Sequence, residues 1–260
     1  MTLTIASWGG GVNSTAMVVE WLSRRERLDF VLFADTGGEK PTTYAYLETF
    51  AEWLEKHDVT FIRLKANVQD DTLEDECLRT KRLPSLAYGF KKCSLKWKRQ
   101  PQDKWVNNCD AAREVWAKGE KVLKLIGFDA GETRRATPKN GKSSWDDEKY
   151  TYRYPLIEWD MDREACVEAL RSRGIPVPPK SSCFFCPAST VGEILDLQAK
   201  HPDLMDRALA MEANADNTSV LGLGRRFAWR TVVTQDRAQL KLWSAGDDAP
   251  CDCYDGGEEQ

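Results

Sequence analysis

SWGGGVNSTAMVVEWL, residues 7–22, sets three consecutive glycines between an apolar run and a helix-like one. Glycine inside an element destabilises it, so Gly9, Gly10 and Gly11 mark a break in the chain. They make either a tight turn and nothing more, or a turn that lets backbone approach a ligand closely. Upstream, LTIASW (3–8) reads as a short buried strand, and downstream the residues from about Ser14 to Arg25 read as a helix. Further out, FVLFAD (30–35) is a second apolar strand of the kind found inside a parallel sheet. Thr42 to His57 has apolar residues near helical spacing, while VTFIRLKA (59–66) and KVLKLIGF (121–128) are a third and a fourth strand. Strands alternating with helices predict an α/β fold built on a doubly wound, mainly parallel sheet.

The third and fourth strands are separated by a long, irregular, cysteine-bearing segment. Residues 136–149 (ATPKNGKSSWDDEK) read as a loop and TYRYPLIEW (151–159) as extended chain. Asp160 to Arg173 reads as an amphipathic helix stopped by Gly174 and the proline group IPVPP. VGEILDLQAKHP and PDLMDRALAMEAN are two further helices. The expected organisation is an α/β nucleotide-binding domain over 1–190 that includes the paired cysteines, a helical extension over 191–246, and an acidic, cysteine-containing tail over 247–260.

A net charge of −4 over 260 residues does not advertise a nucleic-acid binder. The distribution is uneven. From Lys91 to Lys104, KKCSLKWKRQPQDK, six basic residues face one acid, whereas the stretch from Asp247 to Gln260 carries six acids and no base. The basic run is either a solvated helix face or a nucleic-acid contact with Trp97 available to stack on a base. No apolar run approaches the roughly 20 residues needed to span a bilayer, and MTLTIASW lacks the basic region and cleavage signal of a secretory peptide. The expected place is the cytoplasm, with no membrane partner.

Eight cysteines in such a chain favour metal or redox chemistry over a disulfide framework. Cys183 and Cys186 form CFFC, Cys251 and Cys253 form CDC, and Cys77, Cys93, Cys109 and Cys166 stand alone. Two histidines, His57 and His201, argue against a His-rich metal site or a Ser-His-Asp triad. A CxxC pair supplies two thiolates to one metal or makes one redox disulfide.

Glycines between a first strand and a helix N-terminus can cradle phosphate, because backbone N–H groups converge there and the helix dipole favours negative charge. The lysine-bearing GxxxxGK[ST] pattern is absent, and GxGxxG fails because Asn13 and Ser14 stand where its last glycines belong. GGGVNST instead resembles the SGGxDS[ST] pyrophosphate loop of the PP-loop ATP pyrophosphatases and sulfonucleotide reductases. Gly10, Gly11, Ser14 and Thr15 match it, while Gly9 replaces its first serine and Asn13 its aspartate. FADTGGEKPTTYAYL resembles the DTGxExPxTY segment of phosphoadenosine phosphosulfate (PAPS) reductase relatives, and IGFDAGETRRA resembles their G-x-R-x-x-E-S-x-x-R-A stretch. Gly127, Glu132, Arg135 and Ala136 match in the latter, with Phe128-Asp129 standing where those enzymes often have arginine.

The resemblance covers about residues 5–190 and implies a nucleotide site made of Ser7, Gly9, Gly10, Gly11, Asn13, Ser14, Thr15, Asp35, Thr36, Gly127, Glu132 and Arg135. The ligand would be ATP or another adenine nucleotide with Mg²⁺, although Asn13 removes a carboxylate from the loop. Asp35 would contact the ribose or adenine, and Arg134 with Arg135 would clamp phosphate. Cys93 resembles the cysteine-bearing segment that partners a later CxxC in the iron–sulfur branch of the family. This implies a [4Fe–4S] cluster on Cys93, Cys183 and Cys186, with Cys253, Cys251 or an open iron as the fourth position and zinc as the rival metal. Asn13, Arg135 and Cys253 are the candidate catalytic residues.

Three functions remain open. The first is an ATP-using enzyme that adenylylates an acceptor, RNA or DNA among them, and displaces the adenylate with sulfur from a donor. The second is a PAPS or adenylylsulfate reductase fed by an electron donor protein, which here lacks the family's ECGxH cysteine segment. The third is a non-catalytic nucleotide- and metal-binding module.

Overall fold

The computed structural model describes residues 2–66, 69–137, 148–216 and 219–234. The chain opens with β1 (Thr4–Ser7), α1 (Val12–Ser23), β2 (Phe30–Asp35), α2 (Pro41–Glu55) and β3 (Thr60–Lys65). It continues through α3 (Leu73–Thr80), the short turn α4 (Lys92–Ser94), a π-helical stretch Leu95–Arg99, α5 (Gln100–Asn108) and α6 (Asp110–Ala117). Next come β4 (Val122–Ile126), α7 (Thr133–Ala136), β5 (Tyr150–Arg153), α8 (Pro155–Glu158) and α9 (Arg163–Arg171), and then α10 (Val191–Lys200), α11 (Pro202–Asn214) and α12 (Trp229–Thr234).

The strands form one sheet of order β3-β2-β1-β4-β5, parallel at every pairing. This is the doubly wound α/β fold. Strand alternation sorts side chains to its two faces. Ala6, Trp8, Val31, Phe33 and Leu125 pack under α1, α2 and α9, whereas Leu3, Ile5, Leu32 and Val122 pack under α5 and α6. Winding reverses between β1 and β4, and in open α/β sheets ligands bind at the carboxyl ends of strands beside such a reversal. The glycine turn follows β1 and the Gly127–Glu132 loop follows β4, so both open onto that crevice. A second apolar cluster lies beyond the sheet. It takes Leu73 and Cys77 of α3, Trp97, the CFFC loop, and the inner faces of α10, α11 and α12.

Several expectations need correction. Residues 69–120 are largely helical rather than irregular. Their buried faces carry Glu74 in α3 and Gln102 in α5, which breaks the apolar period by which a helix is read from sequence. TYRYPLIEW is extended only to Arg153, because Pro155 at the first helical position starts α8. The helices α1 and α2 begin at Val12 and Pro41, a residue or two before the expected starts. The expected loop over 136–149 falls mostly, and the tail over 247–260 wholly, outside the described residues. Among those described, no helix is long and apolar enough to cross a membrane.

Gly127 seals the end of β4 against α1. An added Cβ there would lie 2.7 Å from the Cα and 3.0 Å from the N of Ser14, whereas one at Gly9 would meet nothing within 4 Å. Gly127→Val is therefore expected to cost about 1–3 kcal/mol of overpacking, and Gly9→Ala much less, as read from urea unfolding midpoints.

Candidate functional site

The glycine turn is shaped from within by hydroxyls. Thr15 Oγ1 donates to the Gly11 carbonyl at 2.8 Å and accepts from the buried Trp8 indole at 2.9 Å. Ser14 Oγ bonds the Gly11 carbonyl and accepts from the Gly9 N–H, each at 3.2 Å. Gly10 has φ +75°, the left-handed region that favours glycine. A Cβ on Gly9 or Gly11 would meet nothing within 4 Å, so backbone faces open space on both sides of it. Gly11 caps α1 without a side chain, and the first turn of that helix holds no acid. Its positive dipole end thus stays available for an anion. Ser7 takes no part in this cradle. Its odd-numbered place in β1 turns it to the opposite face of the sheet, where its hydroxyl donates to Gln102 Oε1 at 2.6 Å.

The loop after β4 closes the other side of the crevice. Asn13 Nδ2 donates to Asp129 Oδ2 at 2.8 Å and lies 3.4 Å from Glu132 Oε2. Asp129 caps the following turn through the Gly131 N–H at 2.9 Å, and the Asp129 N–H reaches back to Glu132. Arg135 pairs with Glu132, and its guanidinium carbon lies 4.2 Å from the Phe128 ring centre. Arg134 is exposed. Asn13, Glu132 and Arg135 are thereby brought together, with Asp129 as a member not singled out from the sequence.

Asp35, at the end of β2, is fully engaged by its own protein. It accepts from the Gly37 N–H at 2.8 Å, the Tyr44 hydroxyl at 2.9 Å and the Arg63 guanidinium at 2.7 Å. These bonds curl the chain so that Thr36 and Glu39 turn inward. Burial, with Asp35 beside it, pushes the Tyr44 phenol above its usual range.

Beyond that curl lies a small recess lined by Thr36, Cys93, Lys98, Cys183, Phe185 and Cys186 among others. Thr36 Oγ1 is 3.1 Å from Cys183 Sγ, Glu39 pairs backbone to backbone with Cys183, and the Phe184 N–H donates to the Gly38 carbonyl at 2.8 Å. Burial raises the thiols of Cys183 and Cys186 above their ordinary value. Lys98 faces the same recess. Burial works to lower its pKa, but Glu39 and the three cysteines outweigh that and hold it up. Its Nζ is 3.7 Å from Glu39 Oε1, and burial in turn pushes the Glu39 carboxyl up. The three cysteines thus share one recess, although no three His, Cys, Asp or Glu side chains among the described residues are grouped to hold a single metal ion. Cys77 and Cys166 are buried, and burial moves each thiol up to about 12. Cys251 and Cys253 lie outside the described residues.

The basic run behaves differently from its sequence reading. Trp97 is 1% exposed and its indole donates to Glu76 at 2.6 Å, so it cannot stack on a base. Lys96 pairs with the same glutamate and Lys98 points inward. The exposed aromatic of this segment is Phe90, with Lys92 Nζ 5.9 Å from its ring centre.

Ser181 was not foreseen, and it joins the two halves. Its hydroxyl donates to the Gly9 carbonyl at 2.5 Å and lies 3.4 Å from Glu39 Oε2. The visible signals were its place two residues before Cys183 and the glutamate in DTGGE.

No protein-family profile and no curated protein matches the chain. Among solved structures it is similar to the U34-tRNA thiolase NcsA from Methanococcus maripaludis with its [4Fe-4S] cluster, at 14% identity and a TM-score of 0.47, over 84% of this chain and 74% of that one.

Asn13 is a donor set between two carboxylates. Asn13→Asp replaces the donor with a third carboxylate beside Asp129 and Glu132. The variant should lose about 1–3 kcal/mol, as measured by thermal unfolding, and more than Asn13→Ala does. An equal loss in both variants would point to the missing donor rather than to charge.

Proposed function

We propose that the chain is a PP-loop enzyme similar to the PAPS reductase family, which splits ATP to AMP and pyrophosphate and moves sulfur onto an adenylylated acceptor. One observation carries this reading: Ser181, two residues ahead of Cys183, bonds the Gly9 carbonyl, so the phosphate-type turn and the cysteine recess belong to one site.

The nucleotide fits the turn on the chemistry of its surroundings. Asn13 Oδ1 and Thr43 Oγ1 are buried and lack a hydrogen-bond partner among the described residues. Buried polar atoms are rarely left so without a ligand or water to satisfy them. The N–H groups at the turn and the start of α1 would hold phosphate, Arg135 would add positive charge, and Asp129 with Glu132 would supply the Mg²⁺ carboxylates that Asn13 lacks. Asp35 would act indirectly, by holding the Thr36–Glu39 curl in place.

Cys93, Cys183 and Cys186 would hold the metal centre. Each thiolate could take its own iron of a [4Fe–4S] cluster, the reading we favour, with zinc shared by all three as the rival. The cluster, when bound, supplies the sulfur chemistry. Lys98 keeps a positive charge beside these thiols, and Phe185 and Leu86 keep the recess apolar. The fourth position is open or taken by Cys251 or Cys253. The described cysteines are all free, which suits a reducing compartment such as the cytoplasm.

The acceptor we favour is a nucleic acid, met by the surface around Phe90, Lys92 and Lys96 near the recess rather than by Trp97. A sulfur or electron donor protein would complete the cycle.

The full chain purified without oxygen should contain about four iron and four sulfide per chain and convert ATP to AMP and pyrophosphate. Cys186→Ser should lose the iron. Zinc without sulfide, or no AMP formed, would overturn the reading, and sulfite released from PAPS would turn it to reduction. Charge reversal at Lys92 and Lys96 should weaken RNA binding and reduce the salt slope by about 2, as measured by filter binding over a salt series.

A further inference from the structure

Glu39 and Ser181 have no part in holding either ligand, yet they stand between the two places where ligands would sit. Glu39 is buried, its backbone is paired with Cys183, and its Oε1 has no hydrogen-bond partner among the described residues. The nearest cation, Lys98, is 3.7 Å away, beyond hydrogen-bond reach. Ser181 has one hydroxyl proton and two acceptors within reach. It gives the proton to the Gly9 carbonyl at 2.5 Å, and the other Glu39 carboxyl oxygen, Oε2, lies at 3.4 Å. The residue after Gly9 is Gly10 at φ +75°, with no side chain to resist rotation of the peptide between them.

We propose that Ser181 is a positioning residue that reports occupancy of the glycine turn to the cysteine recess, by passing its hydrogen bond from the Gly9 carbonyl to Glu39. The inference rests on the nucleotide reading above. Phosphate bound to the N–H groups of the turn reorients the Gly9–Gly10 peptide, and the Gly9 carbonyl gives up the hydroxyl. Ser181 then bonds Glu39 Oε2 closely, so the carboxylate charge is shared between that hydroxyl and Lys98, which stands by Oε1. The hold of Glu39 on Lys98 weakens, leaving the ammonium to the thiols of Cys93, Cys183 and Cys186, which it already faces. Only a hydroxyl proton changes partner, and no bond other than hydrogen bonds is made or broken. The link is short because the CFFC loop is docked directly on the Gly37–Glu39 curl.

Hydrogen–deuterium exchange on the full chain as purified, with and without saturating ATP and Mg²⁺, tests this. Three regions are read: the turn (8–15), the basic segment (91–99) and the CFFC loop (180–187). In the unaltered chain ATP should slow exchange in all three, with a change of about fivefold or more in the two recess regions. In Ser181→Ala the turn should still respond at saturation while the recess regions respond less than twofold, and Ser181→Thr, which restores a hydroxyl, should regain the response. A structural role alone would shift recess exchange in the absence of ATP and leave the ATP-dependent difference intact. Protection of the turn without the recess in the unaltered chain, or a full recess response in Ser181→Ala, would overturn the link. No response at the turn in any variant would sink the nucleotide reading itself.

Discussion

The loop that leaves β2 is clamped, backbone to backbone, onto the loop that carries the paired cysteines. Glu39 bridges Cys183, the Phe184 N–H donates to the Gly38 carbonyl, and Gly38 lacks the side chain that would otherwise press to 2.7 Å from the Phe185 ring. Phe184 and Phe185 are in turn embedded in the apolar cluster made by α3, α10, α11 and α12. A few polar bonds at the carboxyl edge of the sheet therefore fasten an entire helical layer to it. The recess exists because these two bodies meet there. Its floor comes from the sheet side, with Thr36, and its walls from the helical side, with Cys93 and Cys186.

The treatment of charge sets the site apart. In several ion pairs among the described residues the acid is buried and the base stays near water: Asp35 is 3% exposed against 41% for Arg63, and Glu74 9% against 50% for Arg207. That arrangement limits the desolvation cost, because the long basic side chain keeps its hydration. Glu39–Lys98 and Glu132–Arg135 depart from it, with both heads largely withdrawn from solvent. Each sits on one side of the Gly9–Gly11 turn, where a charged ligand would repay the cost. Glu212 shows the structural counterpart. It is buried, and its carboxylate accepts from the backbone N–H groups of Leu223, Trp229 and Arg230, which pins the chain leading into α12.

The succession of strands and helices through β4 and the placing of the turn were legible because they rest on local rules. FVLFAD became β2 without loss, since a wholly apolar run bounded by polar residues has few other places to go. The roles of single residues were less legible. Ser7 reads as part of the turn, yet strand parity carries it to the other face. Trp97 reads as a base-stacking residue, yet a glutamate two helices away claims its indole. Asp35 reads as a ligand group, yet Arg63, brought alongside by the parallel pairing of β2 with β3, takes up its carboxylate.

The sequence alone determined that this is a doubly wound sheet with a glycine turn after its first strand and a thiol pair far downstream. Periodicity, glycine and cysteine spacing are properties of neighbouring residues. That the turn and the thiols are one site was decided by the tertiary structure. Ser181 meets Gly9 across 172 positions and Cys183 meets Thr36 across 147, and such contacts follow from how the layers pack, which no local pattern encodes.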